Sequence, residues 1–278
     1  MTTTPRILVA IGGPKADHPA IDWALDYAPS AGADVELLHV VDLSWRTNPA
    51  PFAESALLAA EEQLRDLAAA ASSRSGVIVH SSVALGRPID AIVERAEHAE
   101  LVVLGTHQSR HLDRALLNTL AARIAGRSPV STVVVPHSTA QGRGIVVGVD
   151  DSATSVAPLA FAAREADRLG EKLTVVHSWN APRPWSDTEV AGWPAEEEDE
   201  ERRVLAECVA GLAQDYPDLP VHAEVVFGRA AEVLFDLARG ARMLVVGSHG
   251  RQGFEKAWLG STSEDLVLAT PTTIAVIR

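Results

Sequence analysis

Apolar residues along this chain gather in short unbroken runs. ILVAI from Ile7, VELLHVV from Val35, LVVLG from Leu101 and STVVV from Ser131 mark the first half. The second half repeats the succession, with runs at Ile145–Val149, Leu173–His177, Val221–Phe227, Met243–Val246 and Thr273–Ile277. Between the runs, apolar and polar positions mix at helical spacing, as in Val156–Leu169 and Arg202–Ala213. Short runs without alternation fit strands buried on both faces, and strands alternating with helices predict a parallel sheet covered on both sides. Right-handed crossovers make such a sheet doubly wound. The fold class is α/β.

The two halves read as copies of one unit. ILVAIGG (Ile7–Gly13) matches IVVGVDD (Ile145–Asp151), and VELLHVV matches LTVVHSW with His39 over His177. GRPIDAIVERA from Gly86 matches GRAAEVLFDLA from Gly228, LVVLGTH matches MLVVGSH, and PVSTVVV matches PTTIAVI. A repeat this long means duplicated domains, here 1–140 and 141–278, with the polar stretch HSTAQGRG (His137–Gly144) as the linker. At 278 residues, each copy has enough chain to bury its own core.

Composition narrows the function. The net charge of −13 argues against general nucleic-acid binding, which needs clustered Lys and Arg to neutralise phosphates. No apolar run reaches the roughly 18 residues of a membrane span, and the start MTTTPRILVAIGG reads as the opening of the fold, not a secretory signal. The single cysteine, Cys208, excludes an intramolecular disulfide and fits a reducing, cytoplasmic setting. Lying in a helical stretch away from every glycine loop, it reads as a packing residue and not a nucleophile. The acidic run AEEEDEERR (Ala195–Arg203) reads as the start of a solvated helix. His39 and His177 each end the second strand of their copy without a second ligand at metal spacing, so the expected role is an imidazole bonded to nearby backbone.

The chemistry gathers near the end of the chain. VVGSHGRQGFEKAWLGSTSE (Val245–Glu264) leaves a strand through Gly247 and Gly250 and re-enters order at Gly260, where Ser261 starts a helix. Open α/β sheets bind ligands beyond the carboxyl ends of their strands. Glycines there let backbone N–H groups approach an anion, and a helix N-terminus adds unpaired donors. The same residues also read as a ligand-free S-x-x-E capping box, Ser261 to Glu264. Asp150, ending the first strand of the second copy, would accept ribose hydroxyls, and Ser178, after the second strand, would offer backbone groups to a base edge. Together these describe a nucleotide site.

GSHG (Gly247–Gly250), nine residues, then GSTS (Gly260–Ser263) resembles the G-x2-G-x9-G-[ST] signature of the ATP-binding universal stress proteins. IVVGVDDS (Ile145–Ser152) resembles that family's opening strand and PTTIAVI its last, and the repeat extends the likeness over nearly the whole chain. The resemblance implies two five-stranded sheets of order 3-2-1-4-5. It implies adenine and ribose near Asp150 and Ser178, and phosphates on Gly247, Ser248, His249, Gly250, Gly260, Ser261, Thr262 and Ser263. It also implies a divalent ion, usually magnesium, alongside the triphosphate. In the family the last strands pair across a dimer, which implies that Ser131–Val135 and Thr273–Ile277 pair inside one chain as a pseudo-dimer, with a homodimer as further assembly.

The first copy departs from the pattern. Gly12 stands in place of Asp150, Gln108 of Gly250 and Asn118 of Gly260, while Leu120 and Ala121 replace two hydroxyl residues. It is expected to bind ATP weakly or not at all. No G-x-x-x-x-G-K-[ST] loop occurs, and IGGPKAD (Ile11–Asp17) lacks the serine and aspartate spacing of the adenylating ATP pyrophosphatases. Arg251 and Lys256 read as solvated loop charges, and His249 as a backbone contributor ahead of a base. The expected function is an ATP-binding stress-response regulator. A slow ATPase or autophosphorylating protein, or a non-nucleotide dimerisation scaffold, are the alternatives. PRPWSDTEVAGWPAEEE (Pro182–Glu198) reads as a surface loop anchored by Trp185 and Trp193, with a nucleotide lid as its alternative.

Overall fold

The computed structural model describes residues 4–13, 18–44, 50–106, 114–137, 142–179, 195–249 and 259–278. The chain divides into two compact units. The first runs β1 (Arg6–Ile11), α1 (Pro19–Ala31), β2 (Asp34–Val41), α2 (Ala50–Ser75), β3 (Val79–Leu85), α3 (Pro88–Ala96), β4 (Leu101–Gly105), α4 (Arg114–Arg127) and β5 (Ser131–Val135). The second runs β6 (Ile145–Val149), a 3-10 turn (Ala153–Ser155), α5 (Val156–Leu169), β7 (Leu173–Trp179), α6 (Ala195–Val209) and α7 (Leu212–Asp215). It continues with β8 (Val221–Phe227), α8 (Ala230–Ala238), β9 (Met243–Gly247), α9 (Ser261–Ala269) and β10 (Thr273–Ile277).

Within the first unit the strand order is β3-β2-β1-β4-β5, and within the second β8-β7-β6-β9-β10. All these neighbours are parallel. Each is the 3-2-1-4-5 order that the resemblance implies. The central strands carry the core: Ile7, Val9, Val102, Val103, Val133, Ile145, Val147, Leu244 and Val245 are fully buried. Helices cover these sheets, α1 lying on β1, β2, β4 and β5, and α5 on β6, β7, β9 and β10. Strands buried this way have no solvent face, which is why their sequences do not alternate.

The duplication reaches the local devices. Both α1 and α5 end at a left-handed glycine, Gly32 (φ 59°) and Gly170 (φ 62°), a conformation that costs other residues a clash with Cβ. The following amides return to the helix, Ala33 N–H to Ala28 O and Glu171 N–H to Ala166 O.

Three expectations are corrected. The strand read as Leu173–His177 continues to Trp179, because β8 supplies partners as far as Phe227. The helix opens at Ala195, as the acidic run led one to expect, but the pattern read as Arg202–Ala213 is broken: α6 ends at Val209, and Gly211 then caps the separate α7. The capping box does not form: Gly260 is the N-cap of α9, without a side-chain cap bond, and Ser261 is already its first helical residue.

The first unit also buries a charge. Glu36 on β2 is 3% exposed, accepts from Arg6 Nη1 at 3.0 Å and Ser82 Oγ at 2.7 Å, and is ion-paired with Arg95 Nε at 3.2 Å. Three donors from β1, β3 and α3 satisfy a carboxylate that would otherwise be costly to dehydrate.

Candidate functional site: a crevice at the carboxyl ends of β6 and β9

Strands β6 and β9 pair from Ile145↔Met243 to Val147↔Val245 and no further. Beyond that point each turns to its other neighbour. Val149 still faces His177 on β7, and Gly247 still faces Ile277 on β10. The carboxyl ends of the two central strands therefore part, at the place where the strand order reverses. Open α/β sheets bind ligands in such a crevice.

One wall is the turn after β6. Asp150 follows the strand, and its Oδ1 accepts from the Ser152 amide at 3.0 Å, from Ser155 Oγ at 2.7 Å and from Ser152 Oγ. Its own amide donates to Ser155 Oγ at 2.8 Å. These bonds close the turn and hold the carboxylate at the rim.

The other wall is the turn after β9 together with the start of α9. Ser248 N–H donates to Ile277 O, and Gly260 N–H donates back to Ser248 O, both at 2.9 Å. Ser263 Oγ donates to Gly247 O at 2.5 Å. These bonds seat the first turn of α9 beside the end of β9. Glu264 N–H, donating to Gly260 O, makes the first intrahelical bond of α9. The amides of Ser261, Thr262 and Ser263 precede it and have no acceptor within the helix, as at any helix start. Ser261 is exposed and Thr262 partly exposed, whereas Ser263 is buried with its hydroxyl committed to Gly247. An amide array of this kind fits an anionic group.

Gly247 has a reason of its own to lack a side chain. A Cβ there would stand 3.1 Å from His249 O and 3.5 Å from Pro158 Cγ, so the glycine lets the turn fold tightly against the start of α5. Ser248 Oγ lies 2.9 Å from His249 Nδ1, and the buried Nε2 of His249 has no hydrogen-bond partner among the described residues. Gly250, Arg251 and Lys256 lie outside the described residues, as do Trp185 and Trp193.

The walls meet through Thr154, whose Oγ1 donates to His249 O at 3.3 Å and lies 2.6 Å from Ser152 Oγ. Sequence reasoning did not single out Ser152, Thr154 or Ser155. The signal was the small hydroxyl run SATS directly after Asp150–Asp151. Ser178 lies inside β7 opposite Val226, one residue past the point where β6 ends against His177, so its strand edge opens toward the same rim.

His39 and His177 have the backbone role expected of them. Nδ1 of each lies 3.1 Å from the carbonyl that ends the neighbouring strand, Ile11 O and Val149 O. A carbonyl only accepts, so Nδ1 carries the proton. His177 differs in that Nε2 also meets Glu201 Oε2 of α6 at 2.7 Å. Among the described residues, no group of three or more His, Cys, Asp or Glu side chains is placed to hold a metal ion.

Cys208 is partly buried on α6, in keeping with a packing role. Burial pushes its thiol above the usual range, and the charges of Asp150, Glu207 and Asp151 push the same way. The fold thus brings α6 within electrostatic reach of the crevice, a proximity that no local pattern encodes.

Comparison with known proteins agrees with this architecture. The sequence profile of the Universal stress protein family matches residues 3–136 and again 143–278. A universal stress protein of Mycobacterium tuberculosis is 30% identical, with 98% of this chain and 96% of that protein aligned. A universal stress protein of Mycolicibacterium smegmatis is likewise 30% identical over 98% of this chain and 96% of its own length. The crystal structure of a universal stress protein from Archaeoglobus fulgidus shares the fold, with a TM-score of 0.70 at 17% identity over 98% of this chain and 96% of that one. Two matches to one family profile, together covering nearly every residue, place this chain in the universal stress protein family.

Proposed function

We propose that the second unit binds ATP in the crevice between β6 and β9, and that occupancy of this crevice regulates the protein's part in a stress response. Asp150 accepts from the ribose, the β7 edge at Ser178 meets the base, and the phosphates lie on the amides of the β9 turn and the start of α9. Residues Gly247, Ser248, His249 and Gly250 supply the first set of amides, and Gly260, Ser261, Thr262 and Ser263 the second. Magnesium enters on the triphosphate. The observation that carries this reading is the parting of β6 from β9 after Val147↔Val245, with a carboxylate on one wall and a seated helix start on the other. Ser263 contributes its amide alone, because its hydroxyl is engaged by Gly247 O.

Binding without turnover is the favoured form. Phosphoryl transfer needs a positioned nucleophile and neutralised charge on the leaving oxygens. The hydroxyls of Ser248 and Ser263 are turned to protein partners, and the described rim is acidic at Asp150, Asp151 and Glu264. A cytoplasmic setting belongs to the same reading, supported by the lone cysteine. No helix among the described residues is long and apolar enough to cross a membrane.

Isothermal titration of the whole chain with Mg-ATP tests the proposal. The expected result is one site per chain, lost when Gly260 is replaced by Asn, the residue the first copy carries at Asn118. Two equal sites, or none, would overturn it; none would favour the scaffold reading.

A further inference from the structure

Helix α8 packs on α9 in the second unit, as α3 packs on α4 in the first. The stretch from Gly105 to Pro129 is as long as that from Gly247 to Pro271, so the two helix pairs align residue by residue. Asp90 falls on Glu232, Glu94 on Asp236, Arg123 on Asp265 and Arg127 on Ala269. In the first unit Arg127, the last residue of α4, reaches across to α3 and donates from Nη1 to Asp90 Oδ1 at 2.9 Å. The second unit keeps the carboxylate at Glu232 but has only Ala269 to face it. A groove of about 410 Å³ opens there, with Phe235, Leu266 and Ala269 as apolar lining and Glu232, Asp236 and Asp265 as acidic lining. Arg229 also borders it but is held by Glu232 at 3.2 Å. Among the described residues, no ion pair reaches Asp236 or Asp265.

Carboxylates on both helices of a pair repel across the groove, and a cation set between them removes the repulsion. Ala269 ends α9, so the carbonyl end of that helix favours positive charge at the same spot. We propose that this groove docks an arginine-bearing segment of a partner protein, whose guanidinium takes the seat that Arg127 fills in the first unit. Arginine fits better than lysine, because its planar fork can serve carboxylates on two helices at once. Its methylene stem lies along the apolar floor, which gives the pair more than an exposed ion pair earns in water. An apolar side chain next to that arginine meets Phe235 and Leu266. The two copies thus treat one groove oppositely: the first closes it with its own arginine, and the second leaves it for another chain. The ATP crevice uses the first residues of α9 and this groove its last turn, so the proposal stands apart from the ATP reading.

Fluorescence anisotropy on the intact chain tests this with a labelled, alanine-based helical peptide that carries arginines at i and i+4 and a leucine at i+3. Its counterpart has glutamate in place of both arginines. The arginine peptide is expected to bind at low salt and to weaken as salt rises. Ala269 is exposed, so Ala269→Arg spares the core and installs the side chain that closes the groove of the first unit. It should weaken the peptide about ten-fold or more while the thermal midpoint holds or rises. Asp265→Asn should weaken it about three-fold. The proposal is overturned if the arginine peptide shows no saturable binding, if the glutamate peptide binds as well, or if Ala269→Arg leaves the affinity unchanged. Calorimetry with calcium alone, giving a heat that Asp265→Asn removes, would assign the groove to a metal ion and overturn it too. Self-association that Ala269→Arg abolishes would make the occupant a second copy of this chain, with the same consequence.

Discussion

Replacing His177 by Phe should expose how differently the two copies use one histidine. The ring volume is nearly kept, so the change removes two polar contacts and little packing. His177 is 1% exposed, and its Nδ1 proton is the donor to Val149 O. Losing that bond costs about 1 kcal/mol, and leaving the carbonyl dry adds about 1 kcal/mol more. The Glu201 contact adds about 1 kcal/mol at most, because its carboxylate is 23% exposed and solvent takes over part of the partner's work. The total is about 3 kcal/mol in the second unit. His39→Phe is the internal control. It breaks the same bond to Ile11 O, but His39 is only partly buried, so water can reach the carbonyl and the cost should be about 1 kcal/mol in the first unit. Hydrogen exchange read by mass spectrometry resolves the units separately, through peptides of β6 and β7 against those of β1 and β2. Equal losses in the two variants, or no loss with His177→Phe, would refute the reasoning. Protection of the wild type by added zinc that His177→Phe abolishes would turn the histidine into a ligand instead.

Three further outcomes are expected. Cys208 should react with iodoacetamide at pH 8 more slowly than glutathione does, since burial and three neighbouring carboxylates disfavour the thiolate; Asp150→Asn should speed the reaction by removing one of those charges. Glu36→Ala should cost about 2 kcal/mol in urea unfolding. That is less than the loss of a fully buried pair because Arg6 and Arg95 remain more than 40% exposed and are rehydrated; an unchanged midpoint would show the cluster to be ornamental. Gly142→Ala places a Cβ 2.1 Å from Ala241 O and should lower the thermal midpoint by an overpacking cost of about 2 kcal/mol. Gly12→Ala, with nothing within 4 Å, should stay within about 0.5 kcal/mol of wild type.

The strands, the duplication and the parallel sheets were legible in the chain because the signals are local. A strand buried on both faces must be apolar at every position, and a helix that ends in a left-handed turn asks for glycine, as at Gly32 and Gly170. The place of the crevice was legible only through the family resemblance, which implied the 3-2-1-4-5 order; alternating strands and helices alone are compatible with more than one strand order. Tertiary structure decided which polar atoms meet. Thr154 and His249 are 95 residues apart, and their bond depends on how tightly the β9 turn closes over Gly247. Ser263 looked like a phosphate ligand or part of a cap, but its hydroxyl turned to Gly247 O once α9 was seated on β9. Cys208 came near Asp150 only when α6 packed against the sheet. Periodicity records which side of an element is buried; a hydrogen bond needs distance and direction set by the packing of two elements, which neither element's own sequence contains.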